Sequence, residues 1–150
     1  MKKALLFLGL SLYVSLGYAQ NEQKLVFNFA SPRQTIHSFG ASDCWRVQYI
    51  GKNWPIEKRN QIADLLFSSE FDSWGNPKGI GLSMWRFNIG SGSHEAGDNG
   101  GVASQWRRTE CFLEKEGDWN WDKQEGQRWM LQAARERGVR YSLGFSITAP

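Results

Sequence analysis

The chain has 150 residues, eight of them Trp and nine Phe, with 18 Lys and Arg against 15 Asp and Glu. Without Lys2 and Lys3, which open an apolar leader, sixteen basic side chains face fifteen acidic ones, and with no basic stripe a nucleic-acid partner is not implied and none is expected. The length suits one modest domain, and the aromatic load suits a large core, a carbohydrate-binding cleft, or both.

Residues 1–19 read as a secretory signal peptide. Met1-Lys2-Lys3 is followed by an apolar run from Ala4 to Leu16, and the small residues Gly17 and Ala19 place cleavage after Ala19. The run is shorter than the ~20 residues of a membrane span. The expectation is a secreted or periplasmic protein with no membrane span after cleavage.

Residues 24–29, Lys-Leu-Val-Phe-Asn-Phe, predict a short strand, and Ser31-Pro32-Arg33 turns the chain. Residues 34–40 predict a second strand, whose end runs through small residues and delivers Asp43 and Trp45. Pro55 opens a helix at its preferred first-turn position, with Ile56, Ile62, Leu65, Leu66 and Phe67 as the apolar stripe. Ser68 to Lys78 is a polar turn region. The stretch from Gly79 then predicts a strand apolar on both faces, ending in Arg86, Asn88 and a Gly-Ser run. By alternation Ile80, Leu82, Met84, Arg86 and Asn88 point one way, and Ser83, Trp85, Phe87 and Ile89 the other.

Ser91 to Gln105 is a long loop with almost no apolar residue, and loops of that length are usually functional or mobile. A helix follows over about 123–137, with Asn120 or Asp122 as N-cap and Gly138 as its stop. Residues 141–145 predict a third core strand. Strands alternating with helices signal parallel βαβ units, an α/β fold. Three parallel strands leave an open edge, and a complete (β/α) barrel takes about 250 residues. The expected domain is therefore incomplete, and the sequence reads as a fragment.

Cys44 and Cys111 read as free thiols, although an oxidising compartment permits a disulfide between them. With only His37 and His94 beside them, no metal site is expected. His94-Glu95 lacks the second helical histidine of a zinc protease, and Gly90-Ser91-Gly92-Ser93 lacks the lysine of a phosphate loop. No Gly-x-Ser-x-Gly elbow marks an esterase. No cofactor is expected.

Three ordered blocks and a fourth at the end are more specific than any one motif. These are Gln34-Thr35-Ile36 with Phe39-Gly40-Ala41-Ser42-Asp43 and Trp45; Gly81-Leu82-Ser83 with Trp85-Arg86-Phe87-Asn88-Ile89-Gly90; Arg107-Arg108 with Glu110-Cys111-Phe112; and Phe145-Ser146 with Pro150. Together they resemble glycoside hydrolase family 30 from about residue 25 onward, its endo-β-1,6-galactanase-like branch above all. The resemblance implies a (β/α)8 TIM barrel with a β-sandwich side domain. Residues 20–33 would give a strand to the side domain, and residues 34–150 the first three β/α units of the barrel.

The resemblance further implies a retaining glycosidase acting on a polysaccharide or oligosaccharide. Its two catalytic glutamates follow the fourth and seventh strands, with carboxyls about 5–5.5 Å apart. Both are expected beyond residue 150, so no catalytic residue is expected here and residues 20–150 alone are expected to be inactive. Glu95, Glu110, Glu114, Glu116 and Glu125 lie at no core-strand end, and Glu110, after a double arginine, is expected in a structural salt bridge.

Arg86 matches the family's second-strand arginine, which contacts the nucleophile and keeps it ionised. The alternative is a structural ion pair at the rim. Asp43 and Trp45 match the first-strand end, where the family meets sugar; the alternatives are a cap for Asp43 and core packing for Trp45. Asn88 is a substrate-binding candidate that could equally bond loop backbone. His37-Ser38 and Ser146-Ile147-Thr148-Ala149-Pro150 depart from the family pattern, which leaves the substrate open. A glucosylceramidase, β-1,6-glucanase or xylanase type, or a non-catalytic carbohydrate-binding protein on the same barrel, are the alternatives.

Overall fold

The structure is a computed structural model that describes residues 24–146. The segment expected to be a signal peptide cleaved after Ala19, and the end of the third-strand motif at 147–150, lie outside the described residues. The chain divides into two units, Met1–Thr35 and Ile36–Pro150.

In the first unit the strand expected at 24–29 does not form; residues 24–35 hold no regular secondary structure. A strand needs a neighbour for its N–H and C=O groups, and none pairs with this segment among the described residues. Its local order is a turn at Asn28, whose Oδ1 accepts from the Ala30 N–H at 3.1 Å. The Phe27 and Phe29 rings stack across that turn, 6.3 Å apart.

The second unit is a small α/β domain. In chain order it holds β1 (Gly40–Ser42), α1 (Arg46–Asn53), α2 (Ile56–Phe67), β2 (Met84–Ile89), β3 (Leu113–Lys115), β4 (Asp118–Trp119), α3 (Glu125–Glu136) and β5 (Tyr141–Ser146). The main sheet has order β1-β2-β5 and is parallel throughout, with Gly40 beside Met84 and Met84 beside Tyr141. A parallel sheet with intervening helices is what the strand–helix alternation predicts.

Two of the predicted strands are shorter than expected. From 34 to 39 the chain is not a strand, because the Ser83 side chain takes the place of a ladder partner. Its hydroxyl accepts from the Phe39 N–H at 3.0 Å. Pairing starts only at Gly40, where a Cβ would lie 2.9 Å from Met84 Cβ. Residues 79–83 leave the sheet for the neighbouring helix. The Ile80 and Leu82 N–H groups donate to the Leu65 and Leu66 carbonyls at the end of α2, and Gly81 takes a positive φ of 63°.

Pro55 precedes α2 as expected, and its carbonyl accepts the Arg59 N–H. The expected N-caps of α3, Asn120 and Asp122, do not cap it. Gln124 stands there instead, in the left-handed region at φ 53° and with no side-chain cap of its own. The stop at Gly138 is as expected: φ is 85°, and the Val139 N–H closes on the Ala134 carbonyl. The sequence reading missed α1 and the β3–β4 hairpin, which turns through Gly117 at φ 79°.

The core lies on one side of the sheet. Trp85 is buried with Phe67, Ala63, Met130, Ala133 and Ala134 from α2 and α3, its ring edge-to-face with Phe67 at 5.0 Å. Such a pair is worth ~1 kcal/mol beyond its area. Alternation then sends Met84 and Arg86 to the other face, beside Tyr141, Leu143 and Phe145, all partly exposed. No helix among the described residues is long and apolar enough to cross a membrane.

Candidate functional site

The polar residues singled out by the sequence converge at the C-terminal ends of β1 and β2. Asp43 follows β1 directly, and its N–H extends the ladder to the Arg86 carbonyl at 3.1 Å. Its carboxylate turns inward and accepts the Asn88 N–H at 3.0 Å. Asp43 is fully buried among the described residues. Burial raises it to about pKa 6, against the pull of the Asn88 N–H, the Gln127 amide and the Arg86 guanidinium. Among the described residues Asp43 Oδ2 has no hydrogen-bond partner at normal geometry, the Gln127 amide beside it contributing only a weak polar contact. Unmatched polar groups of this kind cost stability and are kept where something else needs them.

Trp45 opens α1 in the left-handed region, at φ 66°. A bulky side chain there is strained, and strain of ~1–3 kcal/mol concentrates at binding and catalytic sites. The ring is partly buried, and the Arg107 guanidinium sits 4.6 Å from its centre. Arg86, on the sheet face away from the core, lies over the Phe145 ring at 3.7 Å, and its Nε has no hydrogen-bond partner.

A cavity of about 390 Å³ opens here, lined by Trp45, Asn88, Ser93, Val102, Arg107 and Thr109 among others. That volume is in the range of small-ligand pockets. The long loop after β2 walls it, held by local bonds: Ser93 Oγ accepts the Thr109 N–H at 2.9 Å, and the His94 N–H donates to the Thr109 carbonyl. Gly90 admits this returning segment, since a Cβ there would run into the Glu110 carbonyl and the Thr109 side chain. A second cavity of about 210 Å³ shares Trp45 and lies against Tyr49, Trp106 and Glu110.

Glu110, expected in a salt bridge, accepts neutral donors instead. Its Oε2 takes the Gln48 Nε2 at 2.9 Å and the Gln124 N–H at 2.6 Å. Gln48 passes the restraint on: its Oε1 accepts the N–H groups of Gly126 and Gln127, capping α3 from a different helix. The geometry favours this over an arginine pair because the first-turn N–H groups of a helix need acceptors.

Glu95 pairs with Lys123 at 2.7 Å and takes the Cys111 N–H, and its carboxyl is held below the usual range: the lysine and the N–H groups outweigh its burial. Glu114 is the second acid beside that lysine, at 3.6 Å. Cys44 and Cys111 are free thiols, with Ser42 Oγ 2.8 Å from Cys44 Sγ. Among the described residues no cluster could hold a metal ion.

The structure thus brings Asp43, Trp45, Arg86 and Asn88 to one end of the sheet, with Trp45 and Asn88 on the cavity wall. Sequence reasoning missed Gln48, Arg107 and Gln127 as parts of this end. Arg107 was visible only within a double-arginine block, with nothing local to separate it from Arg108.

Residues 22–150 match the family model described as O-glycosyl hydrolase family 30. A solved structure, the crystal structure of a conserved exported protein from Bacteroides fragilis, is similar with a TM-score of 0.74 and 50% sequence identity. That likeness covers 82% of this chain, which spans 25% of the length of that protein. No curated protein matches.

Proposed function

The chain belongs to O-glycosyl hydrolase family 30, and from that premise we propose that it supplies the first strands of the barrel of an exported, retaining endo-β-1,6-galactanase. The observation that carries this is the placement of Asn88 and Trp45 past the C-terminal ends of adjacent parallel strands, on the wall of a cavity of about 390 Å³, with Arg86 on β2 over the Phe145 ring. That end of parallel strands is where (β/α) barrels keep their chemistry.

In this reading the uncovered face of β2 and β5 turns toward the barrel axis. Arg86 stands next to the nucleophilic glutamate, which another part of the protein supplies. A guanidinium there keeps one carboxylate charged while its partner, 5–5.5 Å away, holds the proton to be donated. Trp45 offers its indole to the C–H face of a sugar ring. Asn88 supplies a donor and an acceptor to sugar hydroxyls. Asp43 acts one step back, fixing the Asn88 backbone. Residues 1–19 direct export in this reading, with cleavage after Ala19, and the similarity to an exported protein supports export alone.

The test is reducing-sugar release by the full-length protein from β-1,6-galactan, β-1,6-glucan and xylan, with NMR of the first product. Release from galactan with the β-anomer formed first is expected. Arg86→Ala is expected to lower kcat by about a hundredfold through a misplaced nucleophile, with thermal stability retained. Galactan binding without hydrolysis would overturn the enzyme reading and favour a carbohydrate-binding protein.

A further inference from the structure

The cavity beside Trp45 has a charge pattern that a neutral galactan does not call for. Arg107 is the one charged side chain on its wall. Its sequence neighbour Arg108 is spent on the protein, bonding Asp98 at 2.6 Å and the Val102 carbonyl at 2.9 Å. Lys52, on the adjoining cavity, has Glu125 within 3.8 Å. Arg107 differs from both. Among the described residues no carboxylate pairs with it, and what holds it is the Trp45 ring at 4.6 Å.

A guanidinium fixed over an indole keeps a fork of N–H donors in reach of a second group, and that fork matches a carboxylate or a sulfate. Trp45 stands at the N-cap of α1 with a positive φ of 66°, and Arg107 ends a 3-10 turn at Gln105–Arg107 whose Arg107 N–H closes on Ser104. Thr109, two residues on, is buried and tied to Ser93. The cation is pre-positioned, so little rotamer entropy remains to be lost when an anion arrives.

We infer that Arg107, stacked on Trp45, is a specificity-determining residue that binds an anionic substituent, a carboxylate or a sulfate, carried by the glycan in this cavity. The inference rests on the carbohydrate reading above and narrows it to acidic glycans.

The experiment uses the full-length protein with three β-1,6-galactans: neutral, capped with uronic acid, and sulfated. Binding is followed by calorimetry and hydrolysis by kcat/KM, each at low and high salt. The wild type is expected to favour one acidic galactan over the neutral one by tenfold or more, with the preference fading as salt rises. Which acidic arm is favoured identifies the anion. Arg107→Gln is expected to collapse that ratio toward one, and Arg107→Lys to restore part of it through charge without the planar fork.

Equal kcat/KM on all three substrates overturns the anion site and leaves the glycosidase standing. A loss of the same size on neutral and acidic galactans in Arg107→Gln also overturns it, marking the arginine as a structural prop. A wild type that binds none of the three overturns both readings.

Discussion

The turn before β2 and the segment just after β1 begin from similar material, short stretches that each carry one aspartate, yet they treat that aspartate in opposite ways. Before β2, Asp72 is half-exposed and saturated. It accepts the Trp74 and Asn76 N–H groups at 2.9 and 2.8 Å and the Asn76 side-chain amide at 3.0 Å. Led by the Asn76 side chain, those bonds hold its pKa below the usual carboxylate range. The pair Lys78–Glu70 closes the same turn at 2.8 Å. At the other end Asp43 is buried with one hydrogen bond and one orphaned oxygen, and its pKa rises to about 6. Around it stand a strained tryptophan, an unpaired arginine and a cavity. One end of the sheet is electrostatically finished; the other holds polar groups in reserve. A protein keeps such groups where it handles a ligand.

The largest expected effect removes what both ends share. Trp85→Ala deletes the buried ring between β2 and the helices and is expected to cost roughly 3–5 kcal/mol. Urea denaturation measures it, and a loss below about 1 kcal/mol would mean that Trp85 does not join the two ends into one core.

Asp43→Asn sharpens the contrast. The folded state holds a proton on Asp43 that the unfolded chain releases near pH 4. This group therefore favours folding most below about pH 4, and the advantage drains away as pH rises through 6. Above that, charging Asp43 opposes folding by on the order of 2–3 kcal/mol. Asparagine keeps an oxygen for the Asn88 N–H and places an amide beside Gln127. The variant is expected to be more stable than the wild type at pH 7 and equal to it at pH 4. A variant less stable at both pH values would show that the carboxylate itself is needed.

Asp72→Ala gives the smallest effect, with the opposite pH sign. Its depressed pKa contributes stability above about pH 4 that is lost as pH falls through the folded value. Thermal melts at pH 7 and pH 3 should differ from wild type only at pH 7, and only slightly, because solvent screens a carboxylate at the surface. Glycan binding should not change.

The finished end was harder to read from the sequence than its simplicity suggests. The Gly79 stretch is apolar enough for a strand, and only the demand of the α2 terminus for N–H donors to its carbonyls, met by Ile80 and Leu82, peels it from the sheet. The alternation along Trp85, Arg86, Phe87 and Asn88 was legible because it is local, and so was the stop at Gly138. Helix α1 was not. It has no cap signal, starts from a left-handed tryptophan and contains Gly51. That glycine looks like a breaker until Gly126 is seen against it: a Cβ on Gly51 would run into the Gly126 backbone, and one on Gly126 into the Gln48 backbone. The capping of α3 by Gln48 crosses 78 residues, and no local pattern encodes a bond of that span. The chemistry-bearing types were therefore visible one by one. What gathers Trp45, Asn88 and Arg107 around one cavity is tertiary.

The most direct test of a ligand-facing and a finished end is amide hydrogen exchange on the full-length protein, with and without a bound galacto-oligosaccharide. Protection confined to residues 43–46, 88–93 and 105–109, with 70–80 unchanged, is the expected result. Protection at 70–80 with none around Trp45 and Asn88, under conditions where calorimetry shows binding, would contradict it.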